Sequence, residues 1–196
     1  MLKNKRIGLG ITASHCTYAD VIPKIESLKL AGAQVIPVIT QSVLHAATRF
    51  GTGEEWIKKI EESAGEKVIS TFVDAEPLGP KYPLDCMVIA PMTGNTLSKF
   101  ANAATDSPVL MAAKATLRNG KPVVVGISTN DGLGLNGQNV MKLLNAKNIY
   151  FIPFGQDDPY NKPTSLVANF DKMLETVHHA IAFGRQIQPL FIEFSK

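Results

Sequence analysis

The segment "VIAPMTGNTLSKFANAATDSPVL", Val88 to Leu110, shows the fold in miniature. It begins as an apolar run of strand length, breaks at Pro91, crosses a loop of Thr93, Gly94, Asn95 and Thr96, and continues as a helix. A loop of this kind is either a strand-to-helix turn with its N-cap or a place that holds a ligand, because Ser, Thr, Asn and Gly serve both purposes. The rest of the chain decides between them.

Outward from this segment the same alternation recurs. "RIGLGIT" precedes "DVIPKIESLKLAG", "QVIPVIT" precedes "GEEWIKKIEESAG", "KPVVVGIS" precedes "NGQNVMKLLNAK", and "IYFIPF" precedes a C-terminal helix expected over about 164–184, with a short tail after it. The strands are continuously apolar rather than alternating, which calls for burial on both faces and hence a parallel sheet covered by helices. The pattern predicts an α/β chain: a three-layer, doubly wound parallel sheet of the flavodoxin-like or Rossmann-like kind, one domain over residues 1–196. Ligands of such sheets bind beyond the carboxyl ends of the strands. The loops at those ends are "TASHCT", "TQSVLHAATRFGTG", "APMTGNT", "STNDGLGLNG" and "PFGQDDPYNKPT", all rich in Ser, Thr, Asn and Gly.

At 196 residues, 45% hydrophobic and 19% charged, the chain is long enough for a sizeable core and too short to suggest a second domain. Its net charge of +3 is scattered, with no basic run laced with aromatics, so nucleic acid is not an expected partner, while anionic small molecules are favoured. Cys16 and Cys86 form no C-x-x-C pair, and "MLKNKRIGLGITASH" enters a strand with no signal-peptide pattern. No apolar run approaches the roughly 20 residues that span a bilayer. A cytoplasmic protein without a membrane partner is expected.

In the first loop Gly10, Thr12, Ala13 and Ser14 lead into a helix, whose backbone N–H groups and neighbouring hydroxyls suit a phosphate. The loop is neither G-x-G-x-x-G nor a Walker sequence, so a phosphate monoester fits better than a dinucleotide or a nucleoside triphosphate. Thr40 and Ser42 close the second strand. His15 and Cys16 form a nucleophilic pair or pack beneath the helix, and no acid in their loop orients the imidazole. Arg49, Lys81 and Lys99 are either carboxylate clamps or exposed cations. With no H-x-x-x-H and no Cys cluster, no metal site is expected. The segment "GQDDPYNKP" reads as a lid, a partner contact or a solvated loop.

With "TASHC" after the first strand, Thr40 after the second and "APMTGNT" after a later one, the sequence resembles the flavin-binding cysteine decarboxylase superfamily. That family's hallmark loop reads Pro-Ala-Ser-Ala-Asn-Thr, matched here by Pro91, Thr93, Asn95 and Thr96. The resemblance implies flavin mononucleotide (FMN), held by Gly10, Thr12, Ala13, Ser14, Thr40, Ser42, the loop Thr93, Gly94, Asn95 and Thr96, and Asp106. It also implies substrate contacts from Asn95 and Asn130, and a homo-oligomer, a trimer or a dodecamer of stacked trimers. The decarboxylases carry a His before the hallmark loop, and residues 66–86 contain none.

Longer strings, among them "TRFGTGEEWIKKIE" and "GISTNDGLGLNGQNVMKLLNAKNIYFIPFGQDDPYNKP", are similar to one branch of the superfamily over roughly residues 6–165. That branch implies an oxidoreductase subunit in the mother-cell cytoplasm of a sporulating bacterium. With a nicotinamide-nucleotide-binding A subunit, which carries NADP or NAD, it would turn a tetrahydrodipicolinate-type intermediate of the lysine pathway into the aromatic dicarboxylate by a two-electron oxidation. Arg49, Lys81 and the amides of residues 93–96 suit the substrate carboxylates, and His15 is the base by residue type. Two other expectations stand beside this one: a flavin-dependent decarboxylase of a cysteine-like substrate, and a non-catalytic scaffold that keeps the flavin fold.

Overall fold

A computed structural model describes residues 1–193. Its strands are β1 (Arg6–Ile11), β2 (Gln34–Ile39), β3 (Ala47–Thr48), β4 (Gly51–Thr52), β5 (Cys86–Met92), β6 (Val123–Thr129), β7 (Ile149–Phe151), β8 (Phe154–Gly155) and β9 (Leu166–Ala168). Its helices are α1 (Tyr18–Leu30), α2 (Gln41–Leu44), α3 (Gly53–Ala64), α4 (Phe72–Ala75), α5 (Gly94–Ala101), α6 (Pro108–Arg118), α7 (Gly137–Leu144) and α8 (Met173–Phe183). The expected tail end, residues 194–196, lies outside the described residues.

The continuously apolar runs pair in parallel in the order β2-β1-β5-β6-β7. Every residue of β5 is buried, as double-sided coverage requires. Helices α1, α3 and α8 cover one face and α4, α5, α6 and α7 the other. Gly10 allows the second layer to close: a Cβ there would lie 2.7 Å from both Met87 Cε and Val109 Cγ1. The strand order reverses direction between β1 and β5, which makes their carboxyl ends the topological switch point.

The sheet is mixed, not wholly parallel as the apolar runs predict. The outer edge of β6 is divided: Val123 to Val125 pair with β7 in parallel, while Ser128 and Thr129 pair antiparallel with β9. Strand β8 then pairs with β9. The expected helix over about 164–184 begins only at Met173. Before it, Leu166 and Ala168 are buried while Val167 between them is partly exposed, a strand period of two. The Asn169 side chain accepts the Asp171 N–H at 3.1 Å, starting the turn that separates strand from helix.

At the opposite end of the sheet, the Asp85 carboxylate accepts hydrogen bonds from the Arg6 N–H at 3.0 Å and the Lys5 ammonium at 3.1 Å. Partial burial pushes this carboxyl up, but those two donors and the charges of Lys5 and Lys121 outweigh it, and the net shift is downward. Among the described residues no helix is long and apolar enough to cross a membrane.

Candidate functional site at the strand switch point

Thr12 ties the two central strand ends together. Its buried hydroxyl donates to the Pro91 carbonyl at 2.7 Å and accepts the Thr93 N–H at 2.9 Å, while its own carbonyl accepts from the Tyr18 hydroxyl at 2.9 Å. With its hydrogen bonds used inside the protein, Thr12 serves as a brace that sets the height of the 93–96 loop. Ala13 and Thr93 line both of the recesses that open over the ends of β1 and β5.

The first recess, about 390 Å³, opens over β2, β1 and β5. Three of its lining residues, Thr40, Thr93 and Ser107, are the N-caps of α2, α5 and α6. The Thr93 and Ser107 hydroxyls accept N–H groups of their own first turns, and none of the three first turns carries an acid. The first turns of α5 and α6 therefore point their N–H groups toward the recess with no acid of their own, and the acid that lines it, Asp106, directly precedes the Ser107 cap. The Thr40 hydroxyl is buried and has no hydrogen-bond partner. At the rim Lys99 pairs with Asp106 at 2.5 Å.

The second recess, about 540 Å³, opens over β1, β5 and β6. The Ser14 and Ser128 hydroxyls lie 2.8 Å apart in its lining, and the β8–β9 hairpin supplies its far wall through Asp157, Lys162 and Ser165. Gly94 sits between this recess and a polar cluster. A Cβ on it would lie 2.5 Å from Thr129 Oγ1, 2.8 Å from Asn136 Nδ2 and 2.9 Å from Asp131 Oδ1. The cluster is internally bonded: Thr129 donates to Asp131 at 2.6 Å, and Asn136 donates to both of its carboxylate oxygens, at 3.0 and 2.8 Å.

The structure brings most of the expected residues together. Ala13, Thr40, Ser42, Thr93, Asn95, Thr96 and Asp106 line the first recess, and Ser14, Gly94 and Asn130 the second. Gly10 is a packing residue within β1, outside both. Lys81 is corrected: it precedes β5 at the far end of the sheet, in the segment where Tyr82 lies under Arg6 and Asp85 bonds the first residue of β1. Arg49 occupies the exposed turn between β3 and β4, its guanidinium 4.8 Å from the ring of Phe50, and lines neither recess.

His15 also lines neither recess. Its ring stands edge-on to Tyr18 at 4.9 Å with a buried, unpartnered Nδ1, and burial lowers its pKa, which favours the neutral imidazole. Sequence reasoning missed Asp157, Lys162, Ser165 and Ser128. The available signal was the density of charge and turn residues in "QDDPYNKPTS", whose return to the crest depends on an antiparallel pairing that the apolar pattern does not encode.

A mixed, mostly parallel sheet flanked by helices, with a recess at its switch point, defines a class: residues 1–177 match the family model described as Flavoprotein, and the chain belongs to that family. It is 62% identical over 192 residues to the B subunit of dipicolinate synthase from Bacillus subtilis (strain 168), covering 98% of this chain and 96% of that protein. The crystal structure of the dipicolinate synthase B subunit from Bacillus halodurans C is similar with a TM-score of 0.90 at 60% identity, over 98% of each chain. The FMN-dependent cysteine decarboxylase SpaF shares the fold alone, with a TM-score of 0.68 at 18% identity over 93% of this chain and 99% of that one.

Proposed function

We propose that this chain is the B subunit of a dipicolinate synthase, which binds FMN in the first recess. With a nicotinamide-nucleotide-binding A subunit, it oxidises a tetrahydrodipicolinate-type ring to dipicolinate in the cytoplasm of a sporulating bacterium. The observation that carries the reading is the meeting of three helix N-caps around a buried Thr40 hydroxyl that has no protein partner. Such a site suits a phosphate-bearing ligand, and its volume falls within the roughly 300 to 1,000 Å³ of small-molecule sites. The residues present fit FMN: Thr40, Ser42 and Ser107 suit the phosphate, and Ala13, Thr93, Asn95 and Thr96 the remainder.

Bound flavin supplies a hydride acceptor. The chain's own part is to place the substrate ring in the second recess, where Asn130 and the Ser14–Ser128 pair offer neutral hydrogen-bonding groups. The balance of the reaction constrains the substrate. An unsubstituted tetrahydro ring must lose two hydrides and two protons to become aromatic, whereas one carrying a hydroxyl needs to lose only one water, one hydride and one proton. The two-electron oxidation expected from the sequence therefore requires the hydroxylated or the dihydro form. Homo-oligomeric assembly, as a trimer or a dodecamer, belongs to the same proposal.

The position of His15 outside both recesses favours a second reading, a flavin-fold subunit that organises the partner without reacting. Anaerobic mixing of the purified chain with substrate, in the presence and absence of the nicotinamide-binding partner, separates the two. Yellow protein whose flavin absorbance bleaches on addition of substrate supports the oxidoreductase. A colourless chain that takes up no added FMN, with the partner making dipicolinate unaided, supports the scaffold. Release of carbon dioxide from a cysteine-like substrate would instead make it a decarboxylase.

A further inference from the structure

Neither Arg49 nor Lys81, the cations expected for substrate carboxylates, reaches the second recess, yet the recess does contain a cation. Lys162 is the single one among the described residues that line it. It is delivered by a tethered segment. The Lys162 N–H donates to the Asp158 carbonyl at 2.8 Å, and the Lys162 carbonyl accepts the Ser165 N–H at 3.0 Å. The Thr164 hydroxyl donates to the Asn130 carbonyl at 2.6 Å, and the Leu133 N–H to the Thr164 carbonyl at 2.9 Å, fastening the segment to the loop after β6.

The ammonium is held only loosely by the protein. Its partner Asp157 is 3.5 Å away, longer than an ordinary charged hydrogen bond, and is itself held by the buried Ser165 hydroxyl at 2.6 Å. An ammonium carries three donors, and the Lys162 side chain remains half exposed. The other acid in the lining, Asp20, stands in the exposed first turn of α1.

We propose that Lys162 is the residue of the second recess that recognises a carboxylate of a dianionic ring substrate, with Asp157 positioning it and Asp20 disfavouring a carboxylate at its own side. This rests on the proposed substrate class and names the group that selects it. Asn130 and the Ser14–Ser128 hydroxyls, all neutral, line the same recess without adding charge.

The test is calorimetric titration of the FMN-loaded full chain with dipicolinate, with isophthalate as a dicarboxylate of the same geometry lacking the ring nitrogen, and with picolinate as the monocarboxylate. Lys162→Met should weaken both dicarboxylates by about tenfold or more, the scale of one charge-assisted hydrogen bond, with unchanged flavin content. Lys162→Arg should restore most of that loss, and Asp20→Asn should tighten both ligands. Unchanged dicarboxylate affinity in Lys162→Met overturns the proposal, as does failure of the wild-type chain to bind either dicarboxylate. Lys162-dependent binding of isophthalate by a chain that bleaches with no tetrahydro substrate would leave this site standing and remove the oxidoreductase reading.

Discussion

The two recesses share the Ala13–Thr93 boundary but are made in different ways. The first is a product of the parallel sheet: strand ends of β2, β1 and β5, with helix N-caps at Thr40, Thr93 and Ser107. The second borrows its far wall from a hairpin that runs antiparallel to the rest, bringing Asp157, Lys162 and Ser165 over the end of β6. One is a property of the architecture and so suits what many such sheets hold, an anion at helix termini. The other is an attachment, and the charged side chains that line it come from its loop and from α1.

The sharpest way to break this contrast is at Gly94, which lines the second recess while starting the helix whose cap lines the first. Gly94→Ala puts a methyl within 3 Å of Thr129, Asn136 and Asp131, and overpacking of this kind costs about 3 kcal/mol. Urea unfolding should show that loss, and a flavin titration should show weakened binding as the 93–96 loop shifts. Retained stability and flavin affinity would mean that the two sides are independent.

Thr12→Val comes next. It deprives the Thr93 N–H of its acceptor and the Pro91 carbonyl of its shorter hydrogen bond, so a loss of about 2 kcal/mol is expected, read as a lower denaturation midpoint at unchanged slope. Thr40→Val should behave in the opposite way. It removes a buried hydroxyl that bonds nothing in the protein, so stability without ligand should hold or rise while FMN affinity falls by about fivefold. A parallel fall in stability would show that the hydroxyl serves the fold and not a ligand.

The smallest effect is expected at the far end of the sheet. The Asp85 carboxyl has a folded pKa below its unfolded value of about 3.9, so its stabilisation is present above that pH and disappears as pH falls through the lower folded value. Asp85→Asn should flatten the stability profile in that acid window alone. Solvent screening of this partly exposed pair keeps the change modest, and flavin binding should be unaffected.

The same contrast explains what was legible in the sequence. Double-sided burial writes itself as continuous apolar runs, so β1, β2, β5 and β6 and their following loops could be read directly, and with them Thr40, Ser42 and the 93–96 loop. The short strands β8 and β9 have only two and three residues, too few for any period to declare itself, and Leu166 to Ala168 merged with the helix that follows. Lys162 was hidden for that reason. Lys81 misled for a related one: proximity in sequence to the hallmark loop does not say which end of a strand a residue occupies, and β5 carries it to the opposite pole.

The divided edge of β6 also bears on how such a protein can change over generations. Because the β8–β9 hairpin joins the sheet through only the last two residues of β6, its loop can be lengthened, shortened or recharged with little disturbance to the parallel strands beneath. Descendants of one ancestor can thus inherit the same recess over the parallel strands and still diverge at its neighbour, by editing one loop at the margin of the sheet.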